Sequence, residues 1–341
     1  MADRELTYRQ AINEALQEEM RHDESVILMG EDIAGAPGRD DPEMVDSWGG
    51  VMSVTKGLIK EFGPTRVRDT PITESAFVGA GVGAATTGLR PVVELMFIGF
   101  MGVTLDQITN QAAKMRYMFG GKAKVPMVIR TTIGAGFRAA AQHSDSTYST
   151  FVHCPGLKVV APATPYDAKG LLISAIRDDD PVIFCENKLL YDTKGVVPEE
   201  HYSIPLGQAD IKRTGEDVTI VAMSRMVLVA LEAADELASR GIESEVVDLR
   251  SLSPWDEKAL VDSIEKTGRL VVIDEDNPRC SLASDVAALA ATQALPYLDA
   301  PVSIITPPHT PVPFSPPLED FYVPDAARVV TNVESMFATT S

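Results

Sequence analysis

Glu74, His143 and the three aspartates Asp178, Asp179 and Asp180 are the residues whose types and settings suit them to chemistry. Glu74 ends the stretch DTPITE (69–74) and opens the small-residue run SAFVGAGVGAATTG (75–88), so it stands at the mouth of a helix that contains Gly79, Gly81 and Gly83. Each glycine inside a helix costs roughly 1 kcal/mol against alanine, and close approach of another element is the usual compensation. The pattern places Glu74 in a buried interface, where an unpaired carboxylate is expensive and a specific partner or task is expected. From the residues alone two readings stay open: a carboxylate that merely complements the helix macrodipole, or one that holds a proton in a reaction.

His143 follows a Gly134-Ala135-Gly136 turn in the polar segment AAAQHSDS (139–146). A loop on a rigid sheet is where catalytic groups concentrate, and imidazole has the intrinsic pKa for proton transfer near neutrality. An ordinary polar loop residue fits the same pattern. The run AIRDDDPV (175–182) sets three acids at the end of a helix, against the dipole. Either a bound cation or simple solvation accounts for them.

These residues need a scaffold, and the apolar periodicity predicts one. A helical pattern over 7–23 leads into the buried strand SVILMG (25–30); a helix at 54–62, a strand at 65–69, the glycine helix and the strand RPVVELMF (90–97) follow. VPMVIRTT (125–132), LKVVAPA (157–163), the helix YDAKGLLISAIR (166–177) and DPVIFCE (180–186) continue the alternation, which predicts a parallel sheet covered on both faces. The stretch 34–50, rich in Gly, Pro and Asp, reads as an irregular loop. Gly195, Pro198, Pro205 and Gly207 break the rhythm, and a second βαβαβ unit restarts with DVTIVAM (217–223) and closes with RLVVIDED (269–276). PPHTPVPFSPP (307–317) is too rich in proline for a helix or a central strand.

Composition narrows the class. The 341 residues are 45% apolar and 23% charged, ordinary for a globular protein with two cores. Thirty basic against 49 acidic residues give a formal charge of −19, which disfavours nucleic acid and anionic membranes as partners. Cys154, Cys185 and Cys280 encode neither a disulfide framework nor a zinc site. The start MADRELTYRQ lacks the apolar stretch of a secretory signal, and a reducing cytoplasm is the expected location.

DTPITE, GLRPVVELMFIGF (88–100), DQITNQAAKMRYMFGG (106–121), AAQHSDS (140–146) and PGLKVVAPATPYDAKGLL (155–172) closely resemble, in order and over nearly the whole chain, the beta subunit of the thiamine-dependent 2-oxo acid dehydrogenases. The resemblance implies an α/β fold of two parallel-sheet domains: a thiamine-pyrimidine-binding, transketolase-like domain at 1–195, a linker at 196–215, and a transketolase C-terminal-like domain at 216–341. It implies that Glu74 hydrogen-bonds a ring nitrogen of the aminopyrimidine of thiamine diphosphate, with Met96 and Phe100 packed beside that ring. From the pattern alone, Met96 and Phe100 are a core stripe. The resemblance further gives His143 a part in proton transfer or acylation of a lipoyl arm, and Ala175, Asp178 and Asp180 a potassium ion. Asp145 departs from the family motif.

Thiamine enzymes mark the site of the magnesium ion and pyrophosphate with a Gly-Asp-Gly motif, which this sequence lacks; Glu31-Asp32 after Gly30 does not replace it. The expectation is a coenzyme shared with an alpha subunit that holds the magnesium, in an alpha2beta2 heterotetramer serving a lipoyl acyltransferase and a small-molecule substrate. The segments 48–58, 94–108 and 300–322 look most like the acetoin-cleaving subgroup. Pyruvate and branched-chain 2-oxo acids are the alternative substrates, because one or two methylenes shift preference by only about 1–3 kcal/mol. A noncatalytic module that docks the acyltransferase core is the alternative of another class.

Overall fold

The computed structural model describes residues 4–35 and 48–338. Most of the loop expected at 34–50 lies outside the described residues. Two compact units are formed, one from the described residues up to Ile133 together with Thr150–Leu206, the other from Gly134–Ser149 and Gly207 onward.

In the first unit β1 (Glu5–Thr7) leads into α1 (Tyr8–His22), whose start is fixed by a capping box in which Thr7 and Gln10 satisfy each other's backbone amides. Then come β2 (Val26–Gly30), the short α2 (Leu58–Phe62), β3 (Val67–Asp69), α3 (Glu74–Thr86) and β4 (Arg90–Phe97). A 3-10 stretch (Ile98–Thr104) and a π-helical stretch (Asp106–Ala112) run into α4 (Ala113–Met118). β5 (Val128–Ile133), α5 (Ser149–Val152), β6 (Lys158–Val160), α6 (Pro165–Arg177), β7 (Val182–Asn187) and β8 (Lys194–Val196) complete the run. The sheet is parallel, in the order β6-β7-β5-β4-β2-β3. All five residues of β2 and all six of β5 and of β7 are buried, as in a parallel sheet covered on both faces, although β5 carries Arg130, Thr131 and Thr132 and β7 carries Glu186 and Asn187. β1 and β8 pair antiparallel apart from this sheet.

The second unit contains β9 (Asp210–Arg213), β10 (Val218–Ala222), α7 (Met226–Ser239), β11 (Ser244–Asp248), β12 (Ser251–Ser253), α8 (Glu257–Thr267), β13 (Leu270–Ile273), α9 (Leu282–Gln293), β14 (Ser303–Ile305), α10 (Pro316–Tyr322) and α11 (Ala326–Ala338). Its sheet runs β14-β13-β10-β11-β9, parallel except that β9 joins the edge antiparallel to β11. Asp256 caps α8 through the Ala259 amide at 3.1 Å. α10 starts inside the proline-rich segment: Pro316 and Pro317 occupy its first turn, where the missing N–H costs nothing. No helix among the described residues is long and apolar enough to cross a membrane.

Candidate active site

Chain order and sheet order disagree at one place in the first unit. From β2 the chain passes to β3 on one side and only then to β4 on the other. The crevice beyond the carboxyl ends of β2 and β4 is therefore a topological switch point, where open α/β sheets bind ligands. Glu31 follows β2 directly, Glu94 and Met96 lie on β4, Phe100 is on the 3-10 stretch after it, and Glu74 is the first residue of α3.

Glu74 is partly exposed within this chain, as are Met96 and Phe100, while Glu31 is 8% exposed. Burial pushes the Glu31 carboxyl up from its ordinary range, and the negative charges of Glu74, Asp32 and Glu94 push it further. Oε1 of Glu31 is buried with no hydrogen-bond partner among the described residues. An acidic group that faces a second carboxylate and keeps an unsatisfied oxygen is set to hold a proton or meet a donor. Met96 and Phe100 add apolar surface, and Phe100 stacks edge-on to Phe97 at 5.5 Å between ring centres.

Beneath them lies a charged network that the sequence reading missed. Arg130, 2% exposed, donates Nε and Nη2 to Glu186 at 2.7 and 2.8 Å and Nη1 to Glu94 at 2.7 Å. The Tyr191 hydroxyl donates to Glu186 at 2.7 Å. The register sets Glu94 opposite Arg130 across β4 and β5, with Glu186 further along the neighbouring β7. Burial raises the Glu94 carboxyl, against the pull of Arg130. A small cleft lined by Val51, Met52, Met96, Thr131 and Thr132 opens over this network. Its signal in the sequence was an interior charge in each of three strands, Glu94, Arg130 and Glu186, a cost that mutual pairing offsets.

The three glycines of α3 have three different surroundings. A Cβ on Gly81 would meet Val93 Cγ2 at 2.8 Å and Met127 Cε at 2.9 Å, and one on Gly79 would meet Gln107 Oε1 at 3.1 Å. One on Gly83 would meet nothing within 4 Å among the described residues. Only Gly81 is forced by close packing against this chain's own sheet. Gly83 lies on the exposed side of the helix.

At the acidic turn, Ala175 is buried and its carbonyl accepts the Asp178 amide at 3.3 Å. Asp178 accepts from Lys158 Nζ at 2.6 and 2.8 Å, and Asp180 pairs with Arg116 at 2.7 Å. Asp179 meets Lys124 at 2.7 Å and Arg90 at 3.1 Å, which hold its carboxyl below the usual range, Lys124 foremost. Arg90 also donates to the carbonyls of Ile176 and Asp178 at 3.0 and 2.9 Å. Basic side chains from other elements thus answer the charge that the sequence left unexplained. Among the described residues no group of three or more His, Cys, Asp or Glu is arranged to hold a metal ion.

His143 ends a 3-10 turn (Ala141–His143) and is half-buried. Its segment belongs to the second unit, whereas Glu74, Met96 and Phe100 belong to the first.

Residues 4–194 match the family described as transketolase, pyrimidine binding domain, and residues 207–329 match transketolase, C-terminal domain. The chain is 59% identical over 328 residues to the acetoin:2,6-dichlorophenolindophenol oxidoreductase subunit beta of Bacillus subtilis (strain 168), covering 96% of each. It is 60% identical over 326 residues to the protein of the same name from Cupriavidus necator, again covering 96% of each. The pyruvate dehydrogenase E1 component subunit beta of Rhizobium meliloti is 45% identical over 97% of this chain and 70% of that protein. Among solved structures, a split gene transketolase described as an inactive beta4 tetramer shares the fold with a TM-score of 0.76 and 24% identity, covering 98% of this chain and all of that one. A pyrimidine-binding and a C-terminal domain of transketolase type in one chain, with these relatives at 45–60% identity, place the protein in the family of beta subunits of thiamine diphosphate-dependent enzymes of the 2-oxo acid dehydrogenase type.

Proposed function

We propose that this chain is the beta subunit of an acetoin dehydrogenase that cleaves acetoin and delivers an acetyl group to a lipoyl arm. The observation that carries the reading is the group at the switch point: Glu74 at the head of α3, the buried Glu31 with an oxygen that has no hydrogen-bond partner among the described residues, and the partly exposed Met96 and Phe100. These residues fit the aminopyrimidine half of thiamine diphosphate, a ring with nitrogens along one edge and apolar faces. When bound, the coenzyme supplies the carbon nucleophile and electron sink for breaking a carbon–carbon bond beside a carbonyl. Glu74 holds the proton shared with a ring nitrogen, and the neighbouring Glu31, whose carboxyl burial raises, adds a second acid group to the same crevice. Met96 and Phe100 exclude water from the ring face. His143 moves a proton at an imidazole nitrogen as the acyl group leaves. The identities of 59% and 60% to the acetoin-named relatives, against 45% to the pyruvate-named one, support acetoin as substrate.

In this reading an alpha subunit holds the magnesium ion and pyrophosphate, the assembly is alpha2beta2, and a lipoyl acyltransferase is served by it. Support comes from exposed large apolar residues that another chain would cover: Ile72, Tyr117 and Phe119 in the first unit, Phe314 and Phe321 in the second. A potassium ion at the turn of Ala175, Asp178 and Asp180 would have to share its carbonyls with Arg90. Three free thiols, of Cys154, Cys185 and Cys280, suit a reducing cytoplasm.

The test is co-expression with the cognate alpha subunit, followed by thiamine diphosphate-dependent reduction of 2,6-dichlorophenolindophenol with acetoin, pyruvate and branched 2-oxo acids in parallel. Acetoin should be preferred, and both chains should be required. Glu74→Gln should lower turnover at least 100-fold with assembly intact; unchanged turnover removes Glu74 from the mechanism, and a preference for pyruvate removes acetoin.

A further inference from the structure

Although the His143 segment follows β5 in the sequence, it is part of the second unit, and carboxylates of that unit grip it at both ends. At its start the Ala135 amide donates to Glu275 at 2.7 Å, and the Gly136 amide donates to Glu319 at 2.6 Å. Glu319 also accepts Nη1 of Arg138 at 2.9 Å. At its end the Tyr148 hydroxyl donates to Asp274, and the Ser149 amide donates to Asp276 at 3.3 Å. The Ser149 hydroxyl in turn accepts the first amide of α9, that of Leu282, at 3.0 Å. His143 lies between these two sets of anchors.

The acceptors are costly to keep. Asp274 and Glu319 are fully buried, and Asp276 and Glu275 are 4% and 6% exposed. Burial raises Asp274, and burial together with the charge of Asp274 pushes Asp276 up to about 7. Tyr322, Asp145 and Glu275 crowd the same space. Within the segment Arg138 and Ala140 hold left-handed backbone at φ 59° and 61°. Such conformations cost of order 1–3 kcal/mol each and persist only where the surroundings over-determine them. Apart from its 3-10 turn and the first residue of α5, the segment has no helix or strand to fix it. Side-chain acceptors do that instead.

We propose that Tyr148, Asp274 and Glu319 are positioning residues that set the pose of His143, so that the second unit directs proton transfer through this segment. The inference rests on the role given to His143 above. It uses the enzyme co-expressed with its alpha subunit and two readouts, turnover with acetoin and the rate at which diethyl pyrocarbonate modifies each histidine, followed by mass spectrometry. Tyr148→Phe should raise the modification rate of His143 at least fivefold while His22, His153, His201 and His309 stay within twofold. It should lower kcat at least tenfold with KM for acetoin within twofold, and this loss should vanish in the His143→Ala background. Asp274→Asn, which keeps the oxygen that Tyr148 uses, should stay within threefold of the parent. Arg138→Met, which removes the guanidinium from Glu319 and leaves the Gly136 amide on it, should loosen His143 in the same sense. Unchanged labelling of His143 in both Tyr148→Phe and Arg138→Met overturns the proposal, as does faster labelling of all histidines, which would be general loosening. Full turnover of His143→Ala with the labelling response intact would instead remove the catalytic role of His143 and leave the anchoring in place.

Discussion

Replacing Arg130 by Met tests the charged network under the crevice most directly. The guanidinium makes three charge-assisted hydrogen bonds of 2.7–2.8 Å to two carboxylates and is 2% exposed. Methionine fills similar volume but takes the guanidinium from Glu94 and leaves Glu186 with the Tyr191 hydroxyl alone among the described residues. Removing one side of a buried ion pair costs about 3–5 kcal/mol. At about 2–4 °C per kcal/mol for a unit of this size, Tm at pH 8 should fall by roughly 6–20 °C. The loss should also depend on pH with a defined sign. Without Arg130 the burial that raises the Glu94 carboxyl is no longer opposed, so the native state binds more protons at Glu94 and stability falls as pH rises through that window. Lowering the pH from 8 to 6 should therefore return part of the lost stability. Calorimetry of parent and variant at the two pH values reads both effects. A drop below 3 °C, or one equal at pH 6 and pH 8, refutes the assignment of this network as a dependent buried triad.

Gly81→Ala should cost about 1–3 kcal/mol, because its Cβ lands 2.8 Å from Val93 and 2.9 Å from Met127. Gly83→Ala meets nothing within 4 Å and should stabilise the isolated chain by about 1 kcal/mol; urea unfolding of the two variants compares them, and sedimentation shows whether Gly83→Ala weakens assembly. Asp276, with a folded pKa of about 7 against an ordinary 3.8, favours the folded state at acid pH, and stability falls as pH rises from about 4 to 7. Asp276→Asn should accordingly raise Tm at pH 8, by up to about 4 kcal/mol of stability, and lose that advantage near pH 4; a Tm difference that does not change with pH contradicts the raised carboxyl.

The legible parts of this fold were those written in local pattern. The apolar run RPVVELMF became β4 without shift, and DVTIVAM and RLVVIDED became β10 and β13 because a buried parallel strand needs little beyond a short apolar stretch. Glu74 was legible because DTPITE meets a helix of small residues, and it does open α3. The Arg130 network was not, since its members lie 36 and 56 positions apart and only strand register brings them together. The glycines were half legible: sequence reveals that Gly79, Gly81 and Gly83 share a helix, but not that Gly81 alone is pressed on the sheet of its own chain. The acidic turn left a bound cation and simple solvation open in the sequence because its partners Arg90, Arg116, Lys124 and Lys158 arrive from four other places. The antiparallel edge strand β9 left no mark that distinguishes it from a linker.

Tyr148 and the Asp274 that holds it are 126 positions apart. During synthesis at about 5–20 residues per second, Tyr148 must wait roughly 6–25 s for Asp274 to be made. The first unit's sheet strands β2 to β7 have all emerged by then. The order of translation therefore delivers a finished pyrimidine-side scaffold with its histidine arm still unfastened, and a fragment that ends at Leu206 would keep the arm in that state permanently.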